Sequence, residues 1–222
     1  MADEILVVRC GTVPYAEAWE LQRRLQAQRQ REEIGDVLLL LEHPPVYTRG
    51  RRSQPEELPM GAEWYEAQGI EVLDTDRGGL VTYHGPGQLV AYPIVQLRRY
   101  GDDIHQFVRG LEQVMTGTLG TYGVRANTIQ GLTGVWVGTR KIGSIGLHVS
   151  RGVTTHGLAV NVNNDLQPFE WVVPCGIEGV AMTSLSRELG AEQEMEAFAD
   201  SLVAAYASVF DKEPVVAGNV PA

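Results

Sequence analysis

The stretch GVWVGTRKIGSIGLHVSRGVTTHGLAVNVN, residues 134–163, restricts the fold more than any other part of the chain. It reads as three strands, at about 134–137, 140–149 and 153–162, separated only by GT and SRG. Connections that short cannot carry a helical crossover, so the neighbouring strands are expected to run antiparallel. Helical spacing lies outside this run. Ala18, Leu21 and Leu25 mark an apolar face between Tyr15 and Glu33. A second helix is expected from Asp102 as its N-cap, with Ile104, Phe107, Val108, Leu111 and Met115 inward. A third, near 191–210, buries Met195, Phe198, Leu202, Ala205 and Val209. DVLLLLE at 36–42 is a continuous apolar run of strand length, ended by HPP. Consecutive hairpins with helices elsewhere indicate an α+β fold with a mixed, largely antiparallel sheet and flanking helices, and disfavour a doubly wound parallel sheet. No linker, low-complexity tract or repeat interrupts the 222 residues, so one domain is expected over 1–222.

The middle strand contains glycine where a strand gains nothing from it. Gly143 and Gly146 remove side-chain packing, which points to close approach by a ligand or another backbone segment. Strict alternation puts Lys141, Gly143 and Ile145 on one face, with Ile142, Ser144 and Gly146 on the other. Lys141 is then either the charged end of the turn GTRK or a cation reaching into a cleft.

DTDRGGLVTYHGPGQLVAYPIVQL, residues 74–97, brackets the short apolar piece LVTY with RGG and HGPGQ, and a second apolar piece follows. Such a glycine-rich wall suits an extended apolar substrate. It is no phosphate cradle, because neither G-x-x-x-x-G-K-[ST] nor G-x-G-x-x-G occurs in it. His43, His84, His105, His148 and His156 form no H-E-x-x-H and pair with no C-x-x-C, so no metal is expected. His148 and His156 could converge across a hairpin, where a core or hydrogen-bonded role is the simpler reading. A serine triad lacks its G-x-S-x-G elbow. Cysteine with lysine remains the best nucleophile and base on offer.

Cys10 follows ILVVR and reads as a small apolar filler. Cys175 sits differently, in WVVPCGI at 171–177, where Pro174 and Gly176 bend the chain to present something. The bland reading is a buried thiol. The N-terminus has no secretory pattern and no apolar run could span a bilayer, so the expected location is cytoplasmic and both thiols are expected to be free. A formal net charge of −10 argues against a nucleic-acid partner. Arg51, Arg52, Arg77, Arg140 and Arg151 are candidates for a local basic rim that would meet acidic protein partners in a salt-sensitive way.

In order, RGGLVTYHGPGQ (77–88), RKIGSIGLHVS (140–150), THGLAVNVN (155–163) and VPCGI (173–177), with LLLLEHPPVYTRGRR at 38–52, resemble the lipoyl(octanoyl) transferases over about residues 10–190. The resemblance implies the catalytic fold shared with biotin and lipoate protein ligases. It implies an octanoyl or lipoyl group passed from acyl carrier protein, through a cysteine thioester, to a lysine of lipoyl domains of 2-oxoacid dehydrogenases or of the glycine-cleavage H protein. It puts the acyl-accepting cysteine at Cys175 and the lysine that lowers its pKa at Lys141. The acyl pocket falls on Arg77, Gly78, Gly79, Leu80, Val81, Thr82, Tyr83 and His84, on Ser144, Ile145 and Gly146, and on Gly157, Leu158 and Ala159. No cofactor or membrane is implied, and monomer is the default state. An ATP-dependent ligase of the same fold, or an acyl-binding scaffold without turnover, are the alternatives.

Overall fold

The computed structural model describes residues 3–172, 180–218 and 220–221. Its strands are β1 (Asp3–Thr12), β2 (Asp36–Glu42), β3 (Val46–Arg49), β4 (Glu71–Asp74), β5 (Thr82–His84), β6 (Gln88–Ile94), β7 (Asn127–Ile129), β8 (Leu132–Val137), β9 (Arg140–Ser150), β10 (Val153–Asn161) and β11 (Lys212–Ala217). Its helices are α1 (Tyr15–Gln30), α2 (Ala62–Ala67), α3 (Ile104–Thr121), α4 (Leu185–Leu189) and α5 (Met195–Phe210).

Eight strands form one sheet in the order β11-β1-β2-β6-β10-β9-β8-β7, and β4-β3-β5 form a second. β1 runs parallel to β2 and β11, and every other pairing of the large sheet is antiparallel. The sheet is therefore mixed and largely antiparallel, in an α+β fold. The hairpins expected over 134–163 are present as β8, β9 and β10. Arg151 and Gly152, with φ of 45° and 77°, make the tight β9–β10 turn, where positive φ at both residues matches the twist of the strands.

α3 and α5 cover one face of the large sheet. Phe107, Leu111, Val114 and Met115 pack with Phe198, Leu202 and Tyr206 over Leu38, Ala91, Val135, Ile142 and Val160. α1 covers part of the other face, with Ala18 and Leu25 fully buried against Leu39, Tyr92 and Val153. Its inward face also holds amides at i, i+4 and i+8. Gln22 Oε1 accepts from His156 N at 2.6 Å, while Gln26 and Gln30 Nε2 donate to the carbonyls of Val153 and Ser150, both at 2.8 Å. These bonds fasten the helix to the β9–β10 hairpin.

Three expectations need correction. α3 begins one residue later than expected: Asp102 sits at φ 54°, and the Asp103 carboxylate caps the helix, accepting from His105 N at 2.7 Å and Gln106 N at 3.4 Å. The expected third helix begins four residues later than expected, as α5 at Met195, and the short helix α4 before it, which ends at Gly190 in the left-handed conformation, was not expected. Alternation along β9 breaks at Ile142. Val135 pairs with Gly143 and Trp136 with Lys141, leaving Ile142 as the extra residue of a bulge. Ile142 packs in the core under α3, and a Cβ on Gly143 would lie 2.6 Å from Met115 Sδ on the same side. Lys141 is consequently released from the Gly143 face.

The corrected cap predicts that Asp103→Ala lowers stability by about 1 kcal/mol, whereas Asp102→Gly, which suits the left-handed backbone, costs nothing or stabilises slightly. Urea denaturation of the two variants checks this. Equal losses at both positions would contradict the cap.

Candidate active site

The two sheets and the chain between them enclose a cavity of about 400 Å³. Leu80, Val81, Leu132, Trp136, Ile145, Leu158, Phe169 and Val172 give it an apolar lining, and Lys141, Ser144, Arg77, His84 and His156 give it polar points. Of the residues expected to form an acyl pocket, Arg77, Gly79, Leu80, Val81, Thr82, His84, Ser144, Ile145, Gly146, Gly157, Leu158 and Ala159 all border it, as does Lys141. Gly78 and Tyr83 do not. The Gly78 amide donates to Leu147 O on β9 at 2.8 Å, tying the glycine-rich loop to the large sheet. The Tyr83 ring turns away to pack on Tyr47 and Phe169 behind the small sheet. Cys175 belongs to residues 173–179, outside those described, while Val172, Val180 and Met182 on either side of that segment border the cavity. Cys10 is half-buried in β1 and makes no disulfide, and no helix is long and apolar enough to cross a membrane among the described residues.

Arg77 is 6% exposed, and no carboxylate among the described residues reaches ion-pair distance. Oxygen dipoles hold it instead. Nε and Nη2 donate to Thr48 Oγ1 at 3.0 and 2.8 Å, Nη2 also to Thr48 O at 2.5 Å and Leu80 O at 2.7 Å, and Nη1 to Gly78 O at 3.1 Å. A buried charge is tolerable only when its donors are so occupied. The empty side of Gly146 accommodates this loop, since a Cβ there would stand 2.9 Å from Gly78 O and 3.2 Å from Arg77 Cδ. Arg77 is thus interior, not part of a surface rim. Arg151 also leaves that rim, because it lies ten residue steps along the β9 strand from Lys141, roughly 30 Å away. Arg52 borders the cavity, and Arg140 is paired with Glu188 at 2.9 Å.

Lys141 is half-buried at the start of β9, with Nζ 5.5 Å from the Trp136 ring centroid. Met182 pairs with it as an isolated parallel bridge, fixed by Lys141 N to Ala181 O and Thr183 N to Lys141 O, both 2.9 Å. Burial lowers its pKa, the Arg77 charge lowers it further, and buried Glu112 opposes both. Glu112 is fixed by accepting from Gly134 N at 2.9 Å and by pairing with Arg109 at 2.5 Å.

Three buried imidazoles whose pKa values are lowered cluster beside the cavity, His84 and His156 bordering it, and in the neutral form their partners fix each tautomer. His156 donates from Nε2 to Asp76 Oδ1 at 2.7 Å and accepts from Tyr15 O–H at Nδ1, 3.1 Å away. Burial lowers its pKa against the pull of Asp76, whose own carboxyl is lowered first by that hydrogen bond. His43 donates from Nδ1 to Val13 O and accepts from Tyr92 O–H at Nε2, both at 2.7 Å, and burial pushes it down to about 4. His84, lowered well below its ordinary value by burial and by His43, meets Gln88 Oε1 at 2.6 Å through Nδ1. Among the described residues no three His, Cys, Asp or Glu side chains gather as a metal site would require. Tyr15, Tyr92, Trp136, His156 and Met182 were not among the expected lining residues. The one local hint was His156, immediately before Gly157.

The mixed, largely antiparallel sheet with its flanking helices is the fold of the lipoate and biotin protein ligase catalytic domains. The bipartite lipoate protein ligase of an archaeal lipoylation system, from Thermoplasma acidophilum, shares it with a TM-score of 0.75 at 16% identity, over 98% of this chain and 87% of that one. Biotin protein ligase from Aquifex aeolicus shares it with a TM-score of 0.54 at 12% identity, over 94% and 69%. The lipoyl protein ligase A/B catalytic domain profile matches residues 14–207, and the chain belongs to that family. Octanoyltransferase from Chloroflexus aggregans is 49% identical over 214 residues, 95% of this chain and 97% of the relative. That from Roseiflexus sp. is 47% identical over 215 residues, 96% and 90%. The chain is accordingly an acyltransferase of the lipoyl and octanoyl transfer type.

Lys141 and Lys212 are the only lysines in the sequence, so protein labelled at lysine Cε gives two resonances to titrate. Lys141 should titrate below the ordinary lysine value, and Glu112→Gln, which removes the one opposing carboxylate, should move it lower still. A midpoint that stays put or rises would contradict the electrostatics. Because the folded pKa lies below the unfolded one, the unfolded chain binds the extra proton between them, so this group's contribution to stability rises with pH across that window.

Proposed function

We propose that the chain carries an octanoyl or lipoyl group from the thioester of acyl carrier protein to a lysine of a lipoyl domain or H protein, by way of a thioester on Cys175. The observation that carries this reading is Lys141, a lysine biased toward its neutral form. It borders an apolar cavity together with the residues that flank the Cys175 segment.

The chemistry needs Lys141 in its neutral form, which burial and the Arg77 charge favour, beside the Cys175 thiol. Lys141 takes the Cys175 proton, and the thiolate attacks the donor thioester. One C–S bond forms and another breaks, and the proton on Lys141 returns to the departing carrier thiolate. Free energy changes little, so no nucleotide is consumed. An acceptor lysine then attacks the acyl-enzyme as a free amine, with Lys141 as general base. An amide replaces a thioester in that step, which draws the cycle forward. Backbone N–H groups of the glycine-rich wall are suited to receive the tetrahedral oxyanion. Leu80, Val81, Ile145 and Leu158 supply the apolar contact for the chain itself. The protein is expected to act as a monomer in the cytoplasm without a bound cofactor, and exposed Arg52, which borders the cavity, and its exposed neighbour Arg51 are the cations offered to acidic partners.

Intact-mass measurement after incubation with octanoyl-acyl carrier protein should find one octanoyl adduct, lost on treatment with neutral hydroxylamine, and none on Cys175→Ser. An unmodified wild-type chain that ligates lipoate only with ATP would instead identify a ligase. No adduct and no ligation would identify a scaffold. Lys141→Ala should lower acylation by about a hundredfold or more and flatten its dependence on pH.

A further inference from the structure

The three clustered histidines, of which His84 and His156 border the cavity, differ in one respect. His43 and His156 each have both ring nitrogens engaged, and in each the lone pair is covered by a tyrosine hydroxyl. His84 borders the cavity, yet only its Nδ1 has a partner among the described residues.

The protonation of that ring is fixed from a distance. Asn161 Nδ2 donates to the main-chain carbonyl of Thr183 at 3.0 Å, so Asn161 presents Oδ1 to Gln88. Gln88 Nε2 donates to that oxygen at 2.9 Å and to Tyr83 O at 3.2 Å, which leaves Gln88 Oε1 facing His84. An amide oxygen can only accept, so His84 Nδ1 carries the proton and Nε2 holds a lone pair. Among the described residues Nε2 has no hydrogen-bond partner, and the ring that carries it borders the cavity. His43 stands edge-on at 5.6 Å, Tyr15 stacks at 5.8 Å, and the charges of Arg77 and His156 also bear on the ring. Every one of these neighbours disfavours a second proton on the ring or leaves the lone pair free.

Cross-strand register sets where this lone pair lies. Gln88 pairs with Asn161, and Val160 pairs with Gly143, so Gln88, Asn161 and the start of β9 at Lys141 and Ile142 form one row across β6, β10 and β9. His84 therefore stands at the same end of the sheet as Lys141.

We infer that His84 Nε2 is the acceptor that orients the attacking amine of the acceptor lysine, a role that rests on the acyl-enzyme reading above. The acceptor lysine sheds its ammonium proton to solvent before attack, leaving an amine with a lone pair and two N–H bonds. As the C–N bond forms and the C–S bond breaks, one proton passes through the Lys141 amine to the departing Cys175 sulfur. The other remains as the amide N–H. His84 accepts a hydrogen bond from this retained N–H, so the two bases hold the two N–H bonds and the nitrogen lone pair is aimed at the acyl carbon. The ring itself gains no proton.

Two substitutions separate this role from a structural one. Asn at 84 can reproduce the donation to Gln88 but has no acceptor at the Nε2 position, whereas Gln can place an oxygen there. In single-turnover assays, His84→Asn should slow acyl transfer to a lipoyl domain by about ten- to a hundredfold, the span of one lost hydrogen bond, and slow acylation of the enzyme by less than about threefold. His84→Gln should recover most of the transfer rate. Equal slowing of both steps, an unchanged transfer step, or a Gln variant as slow as Asn would overturn the role. A wild-type chain that forms no thioester would overturn the acyl-enzyme reading, and this inference with it. Independently of any variant's folding, 15N spectra of histidine-labelled wild-type protein should show His84 protonated at Nδ1 and bare at Nε2 near neutral pH. The opposite tautomer would refute it.

Discussion

The cavity depends on a guanidinium held by dipoles alone. Arg77 joins the small sheet, through Thr48, to the glycine-rich loop, through Gly78 and Leu80, and the same loop is bonded to β9 by Gly78 N and Leu147 O. Remove that side chain and three segments lose a common anchor at once. Removing the charge from water is costly, and the cost is met only because Thr48 and the loop carbonyls occupy its donors. Its charge stays uncompensated at close range, and it bears on the ionisable groups around it. Lys141, His84 and His156 are all driven toward their neutral forms in part by Arg77.

Neutrality matters because a base already carrying its proton cannot take another. In the proposed reaction the cavity must hold an apolar chain, lower a thiol's hold on its proton, and receive an amine, all without bulk water supplying the bases. Burial alone would penalise the lysine ammonium, and Arg77 adds to that effect while Glu112 limits it. Arg77, His84 and His156 in the lining are each held by named partners. The fold is shared with lipoate and biotin protein ligases. Fold likeness at that level says nothing about which chemistry this chain performs, and the distinction rests on its own residues.

Much of the fold was legible where a short-range pattern decides it. The β8–β9–β10 hairpins follow from connections too short to cross over, and the stripes of α1, α3 and α5 follow from helical spacing. β1, β11 and the small sheet were not foreseen, because their pairings join residues such as Asp3 and Lys212 that no local pattern links. The site shows the same division. The lining from Arg77 to His84 and from Ser144 to Gly146 was recognisable as contiguous motifs, while Tyr15 reaches His156 across 141 positions. Lys141 was expected to share a face with Gly143, and a single extra residue at Ile142 changed that. Arg77 read as a surface cation because charge on a loop usually is one, and its six per cent exposure reflects a wall that only the folded pair of sheets creates. Strand glycines were read as room for a ligand or another backbone segment: Gly146 makes room for the backbone of the loop at Gly78, whereas Gly143 makes room for the Met115 side chain.

The central claim is geometric: the lysine on β9 and the sulfur of Cys175 share one apolar chamber. A crystal structure of the octanoylated chain tests it most directly. The account predicts a thioester at Cys175 with its sulfur within hydrogen-bond or one-water reach of Lys141 Nζ, and the acyl chain lying between the Leu80–Val81 wall and Leu158. An acyl group elsewhere, or a sulfur turned away from Lys141 with the chamber empty, would contradict it.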